Sequence, residues 1–216
     1  MPDTALYLIS PPRLVASSFA QSLDETLSAG TARAFQLRLK EASDLQILEA
    51  AGELLPVCRR HDVAFILNDR ADLAVQCGAD GIHLGQEDMN IADARAILGR
   101  DAVIGVSCHA SRDMAIDAAE AGADYVAFGA FYPTKSKPLE KVEKWGVPEP
   151  DLVEWWSTNT TVPCVAIGGM TPENCGPLVA AGADFIAAIT SVWEHAQGPG
   201  AAVRAFAKAF GRPAEA

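Results

Sequence analysis

The sequence predicts an α/β protein built as a single (β/α)8 barrel, the TIM-barrel architecture, spanning residues 1–216. Short apolar or β-branched runs alternate with Ala- and Leu-rich stretches along nearly the whole chain, and eight such runs can be counted. The length of 216 residues suits one barrel, because barrels of this kind typically need about 200 to 250 residues. We expect the two ends, about 1–4 and 211–216, to be flexible.

The eight candidate strands are 5–10, 34–39, 63–68, 80–85, 102–107, 124–129, 163–168 and 184–189. Between them lie segments such as 43–61, 91–100 and 111–122, whose apolar residues recur every three to four positions, as in an amphipathic helix. Strand followed by helix, eight times over, predicts a closed parallel barrel. In such barrels the carboxyl ends of the strands carry the chemistry.

A Gly-Ala-Asp repeat precedes the fourth, sixth and eighth candidate strands. Its glycines follow Ala-rich stretches where a left-handed residue closes a helix, and they are Gly78, Gly122 and Gly182. We therefore interpret the repeat as a helix-to-strand joint on the amino-terminal face of the barrel. Its aspartates are then turn or capping residues, and they are Asp80, Asp124 and Asp184. Only the first copy runs on into a Gln-Glu-Asp sequence that ends at Asp88.

Composition and charge exclude several classes of protein. The net charge of −11 argues against a nucleic-acid surface, since such surfaces need clustered Lys and Arg. The amino-terminal segment has an acid where a signal peptide needs basic residues, and its apolar run is too short to span a membrane. Five scattered cysteines indicate reduced, mostly buried thiols. We expect a cytoplasmic protein with small-molecule partners. The sequence does not decide whether the protein forms a homo-oligomer.

Cations follow the second candidate strand. Gln36, Arg38 and Lys40 stand at alternating positions, so their side chains face the same way. Two cations one side-chain step apart suit a phosphate or pyrophosphate, although an ordinary solvated strand edge has the same spacing.

Oxygen ligands follow the third and fourth candidate strands. Asn68 and Asp69 end the third, and Asp88 follows the fourth. Carboxylates from neighbouring strand ends would converge, as in a Mg²⁺ site that uses one or two carboxylates and substrate phosphates. The alternative for Asp69 and Asp88 is a helix N-cap, and spacing does not decide between the two.

The fifth and sixth candidate strands lead into polar segments. Ser107 and His109 end the fifth, and a lone histidine there is more often structural than catalytic. Residues 131–146 form the most basic segment, with Thr134, Ser136 and Lys137 close together. A long polar loop on the functional face is the usual form of a closing lid; the alternative is a solvated basic loop.

The seventh and eighth candidate strands end in a second predicted anion site. Gly168 and Gly169 follow the seventh, and Thr190 and Ser191 follow the eighth. Barrels often bind phosphate at these two loops through backbone N–H groups that glycine lets a ligand approach.

Six segments together resemble thiamine phosphate synthases, also called thiamine-phosphate pyrophosphorylases. In family order they are "FQLRLK", "LNDRADLA", "GADGIHLGQEDM", "IGVSCH", "FYPTKSK" and "AIGGMTPEN". The resemblance covers about residues 5 to 195. It implies a transferase of thiamine biosynthesis that joins 4-amino-5-hydroxymethyl-2-methylpyrimidine diphosphate to a thiazole phosphate, releasing pyrophosphate with the help of Mg²⁺.

The resemblance also implies roles for particular residues. Asp69 and Asp88 would hold Mg²⁺. The catalytic residues would be Arg38, Lys40, Ser107 and Lys137, and with Gln36 and Asn68 they would surround the diphosphate substrate. The thiazole phosphate would meet Thr134, Ser136, Gly168, Gly169, Ile189 and Thr190.

Some positions depart from the family pattern. Leu39 stands where the family usually has Glu, Ser136 where it has Thr, and Thr190 where it has Ser, and the segment 138–150 differs more widely. Two alternatives are a thiazole tautomerase that uses His109 as its base and a non-catalytic phosphate-binding sensor.

Overall fold

Eight parallel strands close into a barrel in which neighbours in sequence are neighbours in space, and β8 pairs with β1. The computed structural model describes residues 4–134 and 144–211. The strands are β1 Ala5–Ile9, β2 Ala32–Leu37, β3 Ala64–Asn68, β4 Gly81–Leu84, β5 Val103–His109, β6 Tyr125–Gly129, β7 Cys164–Ile167 and β8 Phe185–Ala188. The predicted fold class is therefore confirmed.

Helices surround the barrel. Those with bounds in the described residues are α1 Ala16–Leu27, α2 Asp44–Arg60, α3 Ala71–Cys77, α4 Ile91–Leu98, α5 Arg112–Glu120, α6 Pro150–Asn159, α7 Gly176–Ala180, α8 Thr190–Trp193 and α9 Pro199–Ala209. Among the described residues, none of the helices has both the length and the apolarity to cross a bilayer.

The strands alternate between two buried layers. Residues such as Leu6, Phe35 and Phe65 pack outward against the helices in the larger core cluster. Tyr7 and Tyr125 belong to a smaller cluster inside the barrel, together with Ile9, Ala34, Ala127, Val165 and Ala187. A Cβ on Gly105 would lie 1.9 Å from the ring of Tyr125. A glycine at this position on β5 therefore makes room for the Tyr125 ring.

The Gly-Ala-Asp repeat lies on the amino-terminal face, as predicted. Its three glycines have positive φ, and Gly78 closes α3 in the left-handed conformation. The aspartates, however, do not cap helices: each accepts a hydrogen bond from a backbone N–H of the preceding strand. The pairs are Asp80 with Phe65 at 2.7 Å, Asp124 with Ile104 at 2.8 Å, and Asp184 with Cys164 at 2.8 Å. Each carboxylate thus ties an even-numbered strand to the odd-numbered strand before it.

The structure refines three sequence expectations. β2 begins and ends two residues earlier than predicted, so Arg38 and Lys40 lie just beyond the strand. Thr4, placed in the flexible end, is buried and donates to the carbonyl of Ala183 at 2.8 Å. The cysteines are free and four are buried, Cys77 being the partly exposed one. Burial raises the pKa of the Cys58, Cys108 and Cys164 thiols to about 12.

Candidate active site

Three residues at or just beyond the end of β2 become progressively more exposed, from the barrel interior to the surface. Gln36 is 3% exposed and donates from Nε2 to Oδ1 of Asn68 at 2.9 Å. Arg38 is partly buried, and its backbone N–H donates to Oγ of Ser10 at 2.9 Å, while Lys40 is exposed. Burial lowers the pKa of the Arg38 guanidinium, and the nearby Asp69 carboxylate acts in the opposite direction. A half-buried cation next to a carboxylate is typical of a ligand site rather than of a solvated edge.

Asp69 and Asp88 meet at the ends of β3 and β4. The pKa of Asp69 is raised to about 6, first by burial and then by its hydrogen bond to Asp88 and the charge of that carboxylate. The charges of Lys40 and Arg38 oppose this rise. The carboxylates predicted from two neighbouring strand ends therefore converge, with the two cations of the β2 end beside them.

Neither aspartate is a helix N-cap. The residue that precedes α3 is Arg70, which makes no side-chain cap, and α4 is capped by Asn90, whose side chain accepts from the Asp93 N–H at 2.9 Å. Asp88 instead accepts from the Gly85 N–H at 2.8 Å and closes its own loop. The N-cap interpretation of both residues is therefore wrong.

The backbone of Asp69 is left-handed, with φ at 63°. Its N–H donates to the carbonyl of His83 at 2.9 Å, which fastens the end of β3 to β4. A non-glycine residue with positive φ stores local strain, and such residues cluster at functional sites.

A cavity of about 330 Å³ opens beside this pair. Its polar wall contains Lys40, Asn68, Asp69, Arg70 and Asp88, and its apolar wall contains Leu37, Leu39, Ala42, Ile47 and Leu67. Arg70 does not face this cavity as a free cation, because its guanidinium binds both carboxylate oxygens of Asp44 and also those of Asp72. Among the lining residues, Lys40 is thus the cation placed to meet an anion here, and Arg38 lies close enough to Asp69 to act on its pKa.

Ser107 lies near the end of β5 and is held by two residues of β4 and the loop after it. His83 Nε2 lies 2.9 Å from Ser107 Oγ, and Gln86 Nε2 donates to the Ser107 carbonyl at 2.6 Å. A cavity of about 30 Å³ lies inside the barrel and is lined in part by Gln36, His83, Ser107 and Tyr125. That volume holds little more than a water molecule, so the polar side chains around it form the floor of the site.

His109 ends β5 with φ at 53°, and its ring stacks on the indole of Trp145. The ring centroids are 4.7 Å apart and the planes differ by 8°. Lys144 Nζ lies 4.5 Å from the Trp145 ring centroid and 3.2 Å from Glu87 Oε1. Lys144, near the end of the basic segment, therefore contacts the loop that carries Asp88.

The second predicted anion site lies across the barrel mouth, at the ends of β7 and β8. Gly168 and Gly169 have positive φ, and a Cβ on either would lie within 2.6 Å of residues 130–133. Asn174 fixes the turn by donating to the Gly169 carbonyl at 2.9 Å and accepting from the Thr171 N–H at 2.8 Å. Both glycines are thus required by packing as well as by the backbone conformation.

Two predicted positions flank the same turn. Thr190 begins α8 directly after Ile189, and Thr134 is the last residue of the first described range, 4–134. Ser136 and Lys137 lie outside the described residues, and their predicted roles stay predictions.

Comparison with known proteins identifies the family. The family model described as thiamine monophosphate synthase matches residues 6–192. The chain belongs to this family. A thiamine-phosphate synthase of Rhodospirillum centenum is 50% identical over 206 residues, covering 95% of this chain and 97% of that protein. One of Erythrobacter litoralis is 49% identical and covers 95% of this chain and 94% of its own length.

Solved structures agree. A thiamine phosphate pyrophosphorylase from Pyrococcus furiosus superposes with a TM-score of 0.83 at 30% identity, covering 97% of this chain and 96% of that one. The resemblance drawn from the six motifs is confirmed, and these matches do not favour the tautomerase or sensor alternatives.

Sequence reasoning missed several contacts of the site. It did not connect His83 with Ser107 or Tyr125. It also gave Trp145 no role and did not see that Arg70 is taken up by Asp44 and Asp72. The available signal was strand register: His83 on β4 lies beside Gly105 on β5, two residues before Ser107.

Proposed function

We propose that this protein is the transferase that condenses 4-amino-5-hydroxymethyl-2-methylpyrimidine diphosphate with 4-methyl-5-(2-phosphoethyl)thiazole to give thiamine phosphate and pyrophosphate. The observation that carries the proposal is the Asp69–Asp88 pair beside Arg38 and Lys40, in a chain of this family. Acids and cations at one barrel end suit a diphosphate and its metal.

The paired carboxylates fit Mg²⁺. Among the described residues there is no group of three or more His, Cys, Asp or Glu side chains placed to hold a metal ion. A pair suits Mg²⁺, because this ion keeps several waters and takes one or two carboxylates together with substrate phosphates. Asp69 and Asp88 would hold the ion, and when bound it would offset the charge that develops on the departing pyrophosphate.

The residues of the chain would do the rest. Arg38, Lys40 and Lys137 would bind the diphosphate, with Gln36, Asn68 and Ser107 donating or accepting hydrogen bonds. The bond between the pyrimidine methylene carbon and the diphosphate oxygen breaks, and its electron pair leaves with pyrophosphate. The thiazole nitrogen then supplies the electron pair of the new carbon–nitrogen bond. Fixed cations that meet the developing charge lower the barrier without reorganising.

The opposite side of the mouth would hold the second substrate. Gly168, Gly169, Ile189 and Thr190 would meet the thiazole phosphate, with Thr134 and Ser136 adding hydroxyl groups. Two anion sites facing each other bring the thiazole nitrogen to the pyrimidine carbon, and such positioning is a large part of catalysis between two substrates. We also propose that the reaction takes place in the cytoplasm.

The test is a reconstitution. Purified protein with both substrates and Mg²⁺ should form thiamine phosphate and pyrophosphate in equal amounts, and EDTA should abolish both, with activity restored by excess Mg²⁺. Isomerisation of the thiazole without release of pyrophosphate would contradict the proposal and point to the tautomerase alternative.

A further inference from the structure

Four polar side chains form a continuous hydrogen-bonded chain through the barrel interior. The Tyr7 and Tyr125 hydroxyl oxygens are 2.8 Å apart, Tyr125 Oη lies 2.9 Å from His83 Nδ1, and His83 Nε2 lies 2.9 Å from Ser107 Oγ. The chain runs from the buried layer to the residue that we place beside the diphosphate. Tyr7 is 3% exposed and Tyr125 is 7% exposed.

The direction of the hydrogen bonds along this chain follows from counting protons. A neutral imidazole donates from one nitrogen and accepts at the other. If Tyr7 donates to Tyr125, Tyr125 then donates to His83 Nδ1 and His83 Nε2–H donates to Ser107. The hydroxyl protons of Tyr7 and Tyr125 and the His83 N–H proton then each have an acceptor. The Ser107 hydroxyl proton remains available for a partner outside these four residues.

The reverse direction leaves a donor without a protein acceptor. Ser107 would donate to His83, His83 to Tyr125 and Tyr125 to Tyr7, so the Tyr7 hydroxyl would need another acceptor. Within residues 4–134 and 144–211, the Tyr7 hydroxyl hydrogen-bonds only to Tyr125. Tyr7 also lines the cavity of about 30 Å³, so in this direction a confined water would have to accept its proton. The first direction needs no confined water and is therefore favoured.

The surroundings of His83 support a neutral ring with one N–H. Both ring nitrogens face hydroxyl groups, Tyr125 Oη and Ser107 Oγ, and within the described residues neither nitrogen bonds to a carboxylate that would hold a second proton on the ring. The ring also stacks on Tyr125, with centroids 5.6 Å apart. Gln86 fixes the Ser107 backbone from the other side, so that only the direction of the hydroxyl proton is left for His83 to set.

We propose that His83 is a positioning residue that keeps its proton on Nε2, so that Ser107 accepts from His83 and presents its own hydroxyl proton to the substrate. The inference deepens the proposed function and rests on it for the identity of the acceptor, a diphosphate oxygen. Donation to this oxygen strengthens as its charge grows on leaving. The contribution of Ser107 therefore belongs mainly to kcat.

The direct test reads the tautomer without any reaction. Two-dimensional ¹H–¹⁵N correlation spectra of the imidazole groups, with the His83 signals assigned by their loss in His83→Gln, should show His83 in the Nε2–H form. Tyr7→Phe should keep that form, because the favoured direction needs no acceptor at Tyr7. An Nδ1–H tautomer in the wild-type protein would overturn the inference.

The kinetic test is a double-mutant cycle. Tyr125→Phe removes the donor to Nδ1 and should lower kcat about fivefold, the effect of one typical hydrogen bond. In a Ser107→Ala background the same substitution should have no further effect, because His83 then has no hydroxyl to direct. A full additional loss in that background would show a merely structural role and overturn the inference.

The two failures are distinguishable. A wild-type protein that makes no thiamine phosphate contradicts the proposed function, whereas the tautomer is still read from the spectra. An active enzyme with the Nδ1–H tautomer contradicts the positioning role of His83 alone. A Tyr7→Phe or Tyr125→Phe variant that melts far below the wild type does not affect this distinction, because the tautomer of His83 is read in the wild-type protein.

Discussion

Asp69 combines two unfavourable features at one residue. Its φ of 63° lies in the left-handed region, which costs an L-residue backbone energy even though Asp and Asn adopt it more readily than others, and the pKa of its carboxyl group is raised to about 6 by burial and by Asp88. A carboxyl whose pKa is raised on folding destabilises the folded state once it ionises. Its contribution is most favourable below the unfolded pKa, declines as pH rises towards about 6, and is lost above it.

Asp69→Asn should therefore raise the melting temperature of the metal-free protein at pH 7 and abolish turnover. Asparagine tolerates the left-handed backbone and carries no charge. The gain over the wild type should be smaller at pH 5, because Asp69 is then largely protonated. Thermal melts in EDTA at the two pH values, with Mg²⁺-dependent assays, make the measurement. A lower melting temperature for Asp69→Asn at pH 7 would contradict it.

Arg38→Ala should reduce kcat/KM by on the order of 10²-fold, as the loss of a preorganised donor at a developing charge typically does. Its effect on the melting temperature should be small, since the residue is only partly buried and does not belong to the core clusters. Arg33→Ala is the matched control, because Arg33 is exposed on the same strand. Equal activity of the two variants would remove Arg38 from the site.

His109→Asn separates the synthase from a tautomerase. A catalytic base is typically worth 10² to 10⁴ in rate, but bond cleavage in the proposed reaction needs no protein base. We expect a loss of less than about tenfold, which comes from the missing stack on Trp145. Steady-state assays of pyrophosphate release check this, and a loss above 10²-fold would restore the histidine to a chemical role.

At this scale the sequence predicts positions better than contacts. Alternation along β2 was enough to place Gln36, Arg38 and Lys40 at one barrel end. It could not show that Arg70, equally basic and next to Asp69, is taken up by Asp44 and Asp72. Such ion pairs depend on which side chains the fold brings together from different segments, and the periodicity of one segment cannot predict them.

Among the elements, the three Gly-Ala-Asp joints differ from the acidic loop after β4 in what their aspartates hold. Asp124 accepts from the Ile104 N–H at 2.8 Å and from Arg95 Nη2 at 2.7 Å. Asp88 is exposed; it accepts from the Gly85 N–H and meets the Asp69 carboxyl group at the site. One aspartate therefore supports the joint between two strands, and the other faces the site.

Asp124→Ala should cost about 1 to 3 kcal/mol of unfolding free energy, because it leaves a partly buried backbone N–H without its acceptor, and should leave turnover unchanged. Asp88→Ala should do the opposite, losing Mg²⁺-dependent turnover while melting near the wild type. Chemical denaturation and steady-state assays of the pair decide. A stable but inactive Asp124→Ala would place the chemistry at the wrong barrel end.

Element boundaries show where the prediction from sequence ends. All eight strands were found, but β2 begins at Ala32, within a stretch whose Gly30 and Thr31 look like loop. Extended residues there are fixed by pairing with β1, where the register shifts between Leu6 and Tyr7. A pattern read along one segment cannot contain an irregularity that belongs to its neighbour.

At the scale of the whole molecule, the two ends of the barrel have different roles. The amino-terminal face carries the Gly-Ala-Asp joints, and we propose that the opposite face carries the site. We propose that residues 1–216 form one domain, in which the site draws on the ends of β2 to β5 on one side and of β7 and β8 on the other. The proposed site reconciles a net charge of −11 with two anionic substrates, because it places Arg38 and Lys40 beside the Asp69–Asp88 pair. The motifs and their order along the chain predicted this plan; its fold is confirmed, and its site residues stay predictions.

The aspartate ties of the Gly-Ala-Asp joints also bear on how quickly the chain can assemble. Each side-chain bond joins residues only 15 or 20 positions apart, so little loop entropy is lost when it forms. The pairs β3 with β4, β5 with β6 and β7 with β8 can thus form before β8 meets β1, which joins residues some 180 positions apart. Closing the barrel is the slow, non-local event. Substitutions at these joints should therefore slow refolding more than they speed unfolding, which the two arms of a chevron plot would report.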